Sequence, residues 1–359
     1  MTTTESSAIL ALQRAMPITR LLDCGMDYAD AQELFKETSA GCEWDKKAEL
    51  LANRQFERAG RAMTRGHLTT AREAQAAGIA SLVFAQMALN FDDSRKRFLY
   101  GRLAEETHRL ADYSAAQMMR IEVPFENAHA VGWLIRPPDQ VRGTVLVFGG
   151  QSGWGMAYFP IAQALARRGL ATLLAEGPGQ GETRLNKGIY VNGDITAAYQ
   201  SFITHIADDH SLGAVGIWGN SIGGLWAAKT AAADDRIRAC CVNGAFASPK
   251  LLPYRMFTEQ AAAMLGNEDP NAIQANFDRM SFHSGRDRIA CPLLVLHGGA
   301  DPLVQLEDQQ PFMDATDKEN VTLKTWPDGE HTIYNHATER TAFVADWFAN
   351  KLYPGGKVI

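Results

Sequence analysis

Ser221 stands at the centre of Gly219-Asn220-Ser221-Ile222-Gly223, between a short apolar run (Ala214, Val215, Ile217, Trp218) and an alanine-rich stretch of helical character. Strand, Gly-x-Ser-x-Gly and helix, in that order, are the sequence form of a nucleophile elbow. Such a turn holds serine in strained backbone angles and needs glycine wherever a side chain would collide with the neighbouring strand and helix. Three fixed positions of such common residues recur by chance in roughly one chain in eight of this length. The weight of the argument therefore falls on the groups that accompany the serine.

Three further stretches supply them, each just after an apolar run that reads as a strand. Gly149-Gly150-Gln151-Ser152-Gly153 follows Leu146-Val147-Phe148, and its small residues let backbone amides face a cavity. It is the expected second half of an oxyanion hole, with the N–H of Gln151 or Gly150 joining that of Ile222 behind the serine. It lacks GxGxxG and a GK[ST] ending, so a phosphate loop is the weaker reading. Gly299-Ala300-Asp301-Pro302 places a carboxylate on a turn, and Asp328-Gly329-Glu330-His331 delivers a histidine just before the last helix. Among nine histidines, His336 falls where that helix should begin. His67, His108, His205 and His210 are expected on helices and solvated, and His297 lies inside a strand. The order Ser221, Asp301, His331 is that of the α/β-hydrolases and of neither protease arrangement. His331 would accept the serine proton, Asp301 would orient the imidazole and stabilise its charged form, and the two amides would bind the oxyanion.

The elements that must position these groups divide the chain in two. Residues 1–118 carry almost no strand signal and no proline after Pro17, while apolar residues recur at helical spacing. This predicts helices over 27–36, 45–65, 69–90 and 94–118, the last with Phe98, Leu99, Leu103, His108, Leu110 and Ala111 on one stripe. Trp44, Phe56, Phe84, Phe91 and Tyr100 read as the core of this half. From Arg120 the pattern turns to strands at 121–125, 130–135, 144–148, 171–175, 214–218, 237–242, 293–297 and 321–325. Helices are expected over 159–168, 195–208, 222–233, 305–315 and 335–352. The expected architecture is thus an α/β-hydrolase fold, a doubly wound and mostly parallel sheet with an antiparallel start. A helical cap over 1–118 precedes a catalytic domain over 119–359. Residues 245–288 are too long for one crossover helix and read as a lid inserted after the sixth strand.

Gly149-Gly150-Gln151, Glu176-Gly177-Pro178-Gly179-Gln180-Gly181-Glu182, the elbow, His297-Gly298-Gly299-Ala300-Asp301 and Asp328-Gly329-Glu330-His331, together with the helical N-terminal region, resemble the 2,6-dihydroxypseudooxynicotine hydrolase family. That family is similar to the fungal heptaketide-shortening hydrolases and, more distantly, to the fermentation-respiration switch esterases. The resemblance spans nearly the whole chain and implies a serine-dependent hydrolase, often dimeric, whose helical region caps the site. Members include enzymes that cleave a carbon-carbon bond beside a ketone. The family's loop usually opens on Asp where this chain has Glu176, and its elbow often carries Arg where this chain has Asn220. Glu176, Glu182 and Asn220 are the side chains expected to support the site from behind; a solvated loop carboxylate is an equal reading for Glu182.

Composition narrows the alternatives. At 359 residues, with 46% hydrophobic residues, a net charge of -6 and a pI near 5.9, the chain has no basic footprint for nucleic acid or a membrane surface. A small-molecule substrate is expected. Five scattered cysteines without CxxC spacing read as buried thiols in a reducing cytoplasm. No cofactor and no metal are expected, since HExxH and any three-ligand cluster are missing. The leading function is hydrolysis of a small aryl or polyketide-like ketone at a carbon-carbon bond, and the alternative is a carboxylesterase. A non-catalytic interaction protein on this fold is the reading from another class, and the filled triad argues against it. Prolyl-type peptidase action has little support, because no propeller or peptide channel can be inferred.

Overall fold

A computed structural model of the chain describes residues 3–114, 117–192 and 195–353. The helical half consists of α1 (Thr3–Ala15), α2 (Ile18–Asp23), α3 (Tyr28–Ser39), α4 (Trp44–Thr64), α5 (Leu68–Met87) and α6 (Ser94–Asp112). Two of these, α1 and α2, precede the first helix expected from periodicity. α2 is announced by Pro17 at its N-cap, where a missing amide costs nothing. The helix expected over 94–118 ends at Asp112, and a strand already begins at Met118; residues 115 and 116 of that expectation lie outside the described residues. Its stripe is also narrower than expected, for Phe98 and His108 are exposed, and His108 rests edge-on against Trp133 at 4.8 Å. Trp44, Phe84 and Tyr100 are buried as expected, whereas Phe91 is exposed. The thiols are free; Cys42 is exposed and the other four are buried.

The strands are β1 (Met118–Phe125), β2 (Ala128–Ile135), β3 (Gly143–Phe148), β4 (Leu170–Glu176), β5 (Val215–Asn220), β6 (Ile237–Asn243), β7 (Leu293–Gly298) and β8 (Val321–Trp326). They form one sheet in the order β1-β2-β4-β3-β5-β6-β7-β8. β1 and β2 run antiparallel to each other, β2 runs antiparallel to β4, and all later pairings are parallel. β3, β4 and β5 are buried at every position, as continuous apolar runs covered on both faces must be. Between the strands lie α7 (Phe159–Ala166), α8 (Gly181–Leu185), α9 (Thr196–Asp208), α10 (Ile222–Ala233), α11 (Arg255–Leu265), α12 (Pro270–Met280), α13 (Leu306–Asp314) and the final α14 (Ala337–Leu352). α11 and α12 occupy the stretch read as a lid. Among the described residues no helix is long and apolar enough to cross a membrane.

The chain leaves β3 for β4 on one side and returns to β5 on the other, so the sheet reverses direction between β3 and β5. Ligands of such sheets bind outside the strand ends at this reversal. The loop at Gly149 follows β3 and the serine follows β5, so the order of the strands alone brings both to one crevice.

The helical half does not carry a core of its own. Leu21, Leu34, Trp44, Phe84, Leu99 and Leu103 belong to the same apolar cluster as Trp133, Val147, Leu174, Trp218 and Phe348 on one face of the sheet. α4 and α5 cross so closely that a Cβ on Gly78 would enter the ring of Phe56. Polar anchors add to this. Asp23 of α2 accepts from Arg340 of α14 at 2.9 and 2.7 Å, Thr19 donates to Glu330 at 2.6 Å, and Asn90 donates to Glu259 of α11 at 2.8 Å. Removal of residues 1–112 uncovers the apolar sheet face as well as α11, so the remainder is expected to aggregate or to melt well below the full chain. Soluble yield and circular-dichroism melting check this; a truncated protein that stays monodisperse with an unchanged melting temperature would show that the shared cluster contributes nothing to stability.

Candidate active site

Ser221 follows β5 at φ 56° and ψ −138°, a left-handed conformation costly for a residue with a Cβ. Its amide donates to the Asn243 carbonyl at 2.8 Å, and its carbonyl accepts from Gly224 at 2.8 Å. The glycines of the turn have the steric role expected of them. A Cβ on Gly219 would strike the Gly223 carbonyl, and one on Gly223 would strike the Gly149 carbonyl. Ile222 opens α10, and the first amides of a helix have no acceptor within it.

Asp301 and His331 meet the serine from the ends of β7 and β8. His331 Nε2 lies 3.0 Å from Ser221 Oγ, and Nδ1 lies 2.8 Å from Asp301 Oδ2. The other Asp301 oxygen accepts the amides of Leu303 and Val304 at 2.8 and 3.3 Å, which fixes the carboxylate in a buried position. His331 begins a turn in which Thr332 (φ 51°) and Ile333 (φ 64°) are both left-handed, an expensive conformation for two adjacent β-branched residues. Three donors and a packed side chain hold it. The Thr332 carbonyl accepts from Arg340 at 2.9 Å and from Asn243 at 3.2 Å, the Ile333 amide donates to the Glu330 carbonyl at 2.8 Å, and the Ile333 side chain is fully buried. Asn243, Arg340 and Asp23 were not singled out in the sequence. Asn243 does stand at the carboxyl end of a strand, beside the other site residues, which was the available signal.

The loop after β3 lies directly against the serine turn. A Cβ built on Gly150 would sit 3.1 Å from Ser221 Cβ and 3.2 Å from the Ile222 amide nitrogen. Asn220 lies behind this region: its Nδ2 donates to the Phe148 carbonyl at 3.2 Å, and its Oδ1 accepts from Asn243 at 2.9 Å. Gln151 is buried, and its Nε2 has no acceptor among the described residues. It borders a small cavity walled by Met87 and Lys96 of the helical half, by Trp154 and Arg184, and by Gln260 of α11. The Trp154 ring takes the Lys96 ammonium at 4.7 Å and the Arg184 guanidinium at 5.2 Å. Burial, with Arg184 nearby, holds the Lys96 pKa well below its ordinary value.

Glu176 and Glu182 do not join the serine, histidine and aspartate. Glu176 closes β4 in a fully enclosed position, accepting the Tyr100 hydroxyl and the Glu182 amide, the latter at 2.7 Å. Glu182 is buried and paired with Arg120 at 3.0 Å through both oxygens, so the solvated reading of this carboxylate is overturned. Burial first, and the Glu182 carboxylate second, push the Glu176 pKa up to about 7.

The sheet order, its helices and the turn after β5 define the class: the chain is an enzyme of the α/β-hydrolase fold. A profile of the prolyl oligopeptidase family matches residues 157–354. The chain belongs to that family. The 2,6-dihydropseudooxynicotine hydrolase of Paenarthrobacter nicotinovorans is 27% identical over 357 residues, 94% of this chain and 92% of that protein. The alpha/beta hydrolase ucsC of an Acremonium species is 29% identical over 245 residues, 60% of this chain and 49% of that protein. The crystal structure of the 2,6-dihydroxy-pseudo-oxynicotine hydrolase shares the fold at a TM-score of 0.82, with 24% identity over 95% of this chain and 97% of that one. The resemblance read from the motifs is therefore found along the length of the chain, including the helical half that the family profile leaves out.

The buried acid gives a pH-dependent expectation. An acid whose folded pKa exceeds its unfolded one binds the extra proton in the fold. Its contribution is therefore fully present below the unfolded value of 4.5 and is lost as pH rises through about 7. Glu176→Gln stays neutral throughout, so its melting temperature should gain on the wild type across that window and level off above it. Parallel pH profiles of the two proteins would mean that Glu176 carries its charge in the fold at no cost.

Proposed function

We propose that this chain is a serine-dependent hydrolase that cleaves a carbon-carbon bond beside a ketone in a small aromatic or polyketide-like substrate. Ser221 is the nucleophile, His331 the base and Asp301 the group that orients it. One observation carries the reading: a single imidazole is hydrogen-bonded through its two nitrogens to Ser221 at 3.0 Å and Asp301 at 2.8 Å.

The steps follow from that geometry. Ser221 Oγ adds to the substrate carbonyl while His331 Nε2 takes its proton, and Asp301 stabilises the imidazolium. The amides of Ile222 and of Gln151 or Gly150 receive the oxyanion. When the tetrahedral adduct collapses, the bond to carbon breaks and the departing carbanion takes the proton from His331, which leaves an acyl-serine. Water, deprotonated by His331, releases the acid. An ester runs the same course with an alkoxide leaving group, so carboxylesterase action is the alternative. Similarity to a protein named for a pseudooxynicotine favours the small ketone, and the free Nε2 of Gln151 suits a substrate with an oxygen to accept it.

In this reading residues 1–118 cap a catalytic domain over 119–359, because Met87 and Lys96 reach the cavity from one part and Gln151 and Gln260 from the other. Exclusion of water by that roof strengthens the oxyanion contacts. Free cysteines suit a cytoplasmic setting, and the resemblance favours two copies acting as a pair.

Ser221→Ala should fold normally and lose about five to six orders of magnitude in kcat. Mass spectrometry of products from aryl ketones, β-diketones and esters identifies the bond cleaved. Wild-type turnover by the pure variant would remove serine from the mechanism.

Asp301→Asn should lower kcat by about 10⁴-fold. Asp328→Asn, whose side chain is mostly exposed and pairs with His336, should change it by less than about threefold. Comparable small losses in both would reassign the acid.

A further inference from the structure

Four consecutive carbonyls in the turn after β3 each accept a buried side-chain donor. Phe148 accepts Asn220 Nδ2 at 3.2 Å. Gly149 and Gly150 both accept Gln180 Nε2, at 2.8 and 2.9 Å. Gln151 accepts Trp154 Nε1 at 3.3 Å. In a trans peptide the carbonyl of one residue and the amide N–H of the next point in opposite directions across the same plane. Whatever holds the Gly149 carbonyl therefore also sets the direction of the Gly150 N–H, and the Gly150 carbonyl governs the Gln151 N–H in the same way. Those two planes, and no others in the turn, carry the amides read as the second oxyanion donor, and one side chain holds both.

We propose that Gln180 is the positioning residue of the oxyanion hole, acting through the 149–150 and 150–151 peptide planes; this rests on the serine-hydrolase reading above. Glycine makes such an external hold necessary. Gly149 and Gly150 have no side chain to restrict their dihedrals, and the smallness that lets the turn approach Ser221 also leaves its planes free to rotate. Gln180 suits the task chemically. Two carbonyls facing one point need two N–H groups from a single atom, which a primary amide supplies and a hydroxyl or carboxylate does not. Its Oε1 accepts the Gly177 amide at 3.1 Å, which fixes the orientation of the group, since a flipped amide would set oxygen against two carbonyls. The side chain is fully buried and sits at the N-cap of α8, so its base does not drift. The Gly-Pro-Gly-Gln-Gly loop after β4 is thereby assigned a role: it delivers one amide across to the neighbouring strand end.

The test uses the full chain. Gln180→Met keeps the volume and removes both donors, and Gln180→Glu keeps the shape but faces the carbonyls with acceptors. Each is assayed on the best ester and ketone substrates. An aryl trifluoromethyl ketone, which forms a tetrahedral oxyanion on serine, is used as inhibitor, and the corresponding unreactive secondary alcohol is used as a ligand. Both variants should lose about 10²-fold in kcat with KM changed less than about threefold. The trifluoromethyl ketone should weaken by the same factor as kcat/KM, and alcohol binding should hold. If kcat and inhibitor affinity stay at wild-type values in a folded variant, Gln180 does not position the amides. If alcohol binding and KM deteriorate in parallel with kcat, its role is general packing, and the proposal is equally overturned. Should one variant not fold, the other decides. Failure of the serine reading itself is separate, since it appears as activity in Ser221→Ala and as no covalent adduct with the trifluoromethyl ketone in the wild type.

Discussion

Crowding at the reversal point of the sheet governs this molecule. The ends of β3 and β5 run side by side, a Cβ at Gly223 would enter the backbone of the turn after β3, and one at Gly219 would enter the start of the helix behind the serine. Backbone can be brought that close only where side chains are missing, and glycine supplies no conformational preference to keep it there. Order must be imposed from outside. The structure does so with side-chain amides: Asn220, Gln180 and Asn243 tie the turn after β3, the serine turn and the histidine turn to one another. Neutral amides suit this position because they offer donors and an acceptor on one rigid plane without adding a charge to a dry site.

The same logic explains why the helical half is integral to the protein. Strain at Thr332 and Ile333 is balanced by Arg340, which is itself buried and reaches Asp23 on α2. A guanidinium enclosed among apolar groups persists only with a counter-charge and satisfied donors. The N-terminal helices thus contribute to the histidine turn at a distance, besides walling the cavity with Met87 and Lys96. On the same face of the sheet Tyr100 of α6 meets the raised-pKa acid at the end of β4.

Much of this was legible in the residues because the signals were local. The six inner strands fall on largely apolar runs and the two edge strands on alternating ones, and Ser221, Asp301 and His331 each stand just past a strand. Continuous burial of β3, β4 and β5 makes their sequence signature strong. What was missed was long-range. Periodicity cannot show that Asp23 meets Arg340, nor that Glu182 is buried by Arg120, because both pairs form between segments distant in sequence. The helix expected to run to residue 118 stops at Asp112 for a different reason: apolar residues continue across the junction, and only the pairing of Met118 with Ile135 marks where helix gives way to strand. Phe91 and Cys42 read as core by residue type, yet each lies between helices where the chain turns at the surface.

The contact between Asp23 and Arg340 joins residues 317 apart, close to the two ends of the described chain. During synthesis the first helices and most of the sheet emerge long before α14 exists. Until Arg340 leaves the ribosome, the Asp23 carboxylate lacks its partner and the Thr332 carbonyl has only one of its two donors, Asn243. Loop closure over such a separation comes late and is slow relative to local helix formation. The histidine turn is then the last part of the crevice to acquire its shape, after the strands on either side of it have paired.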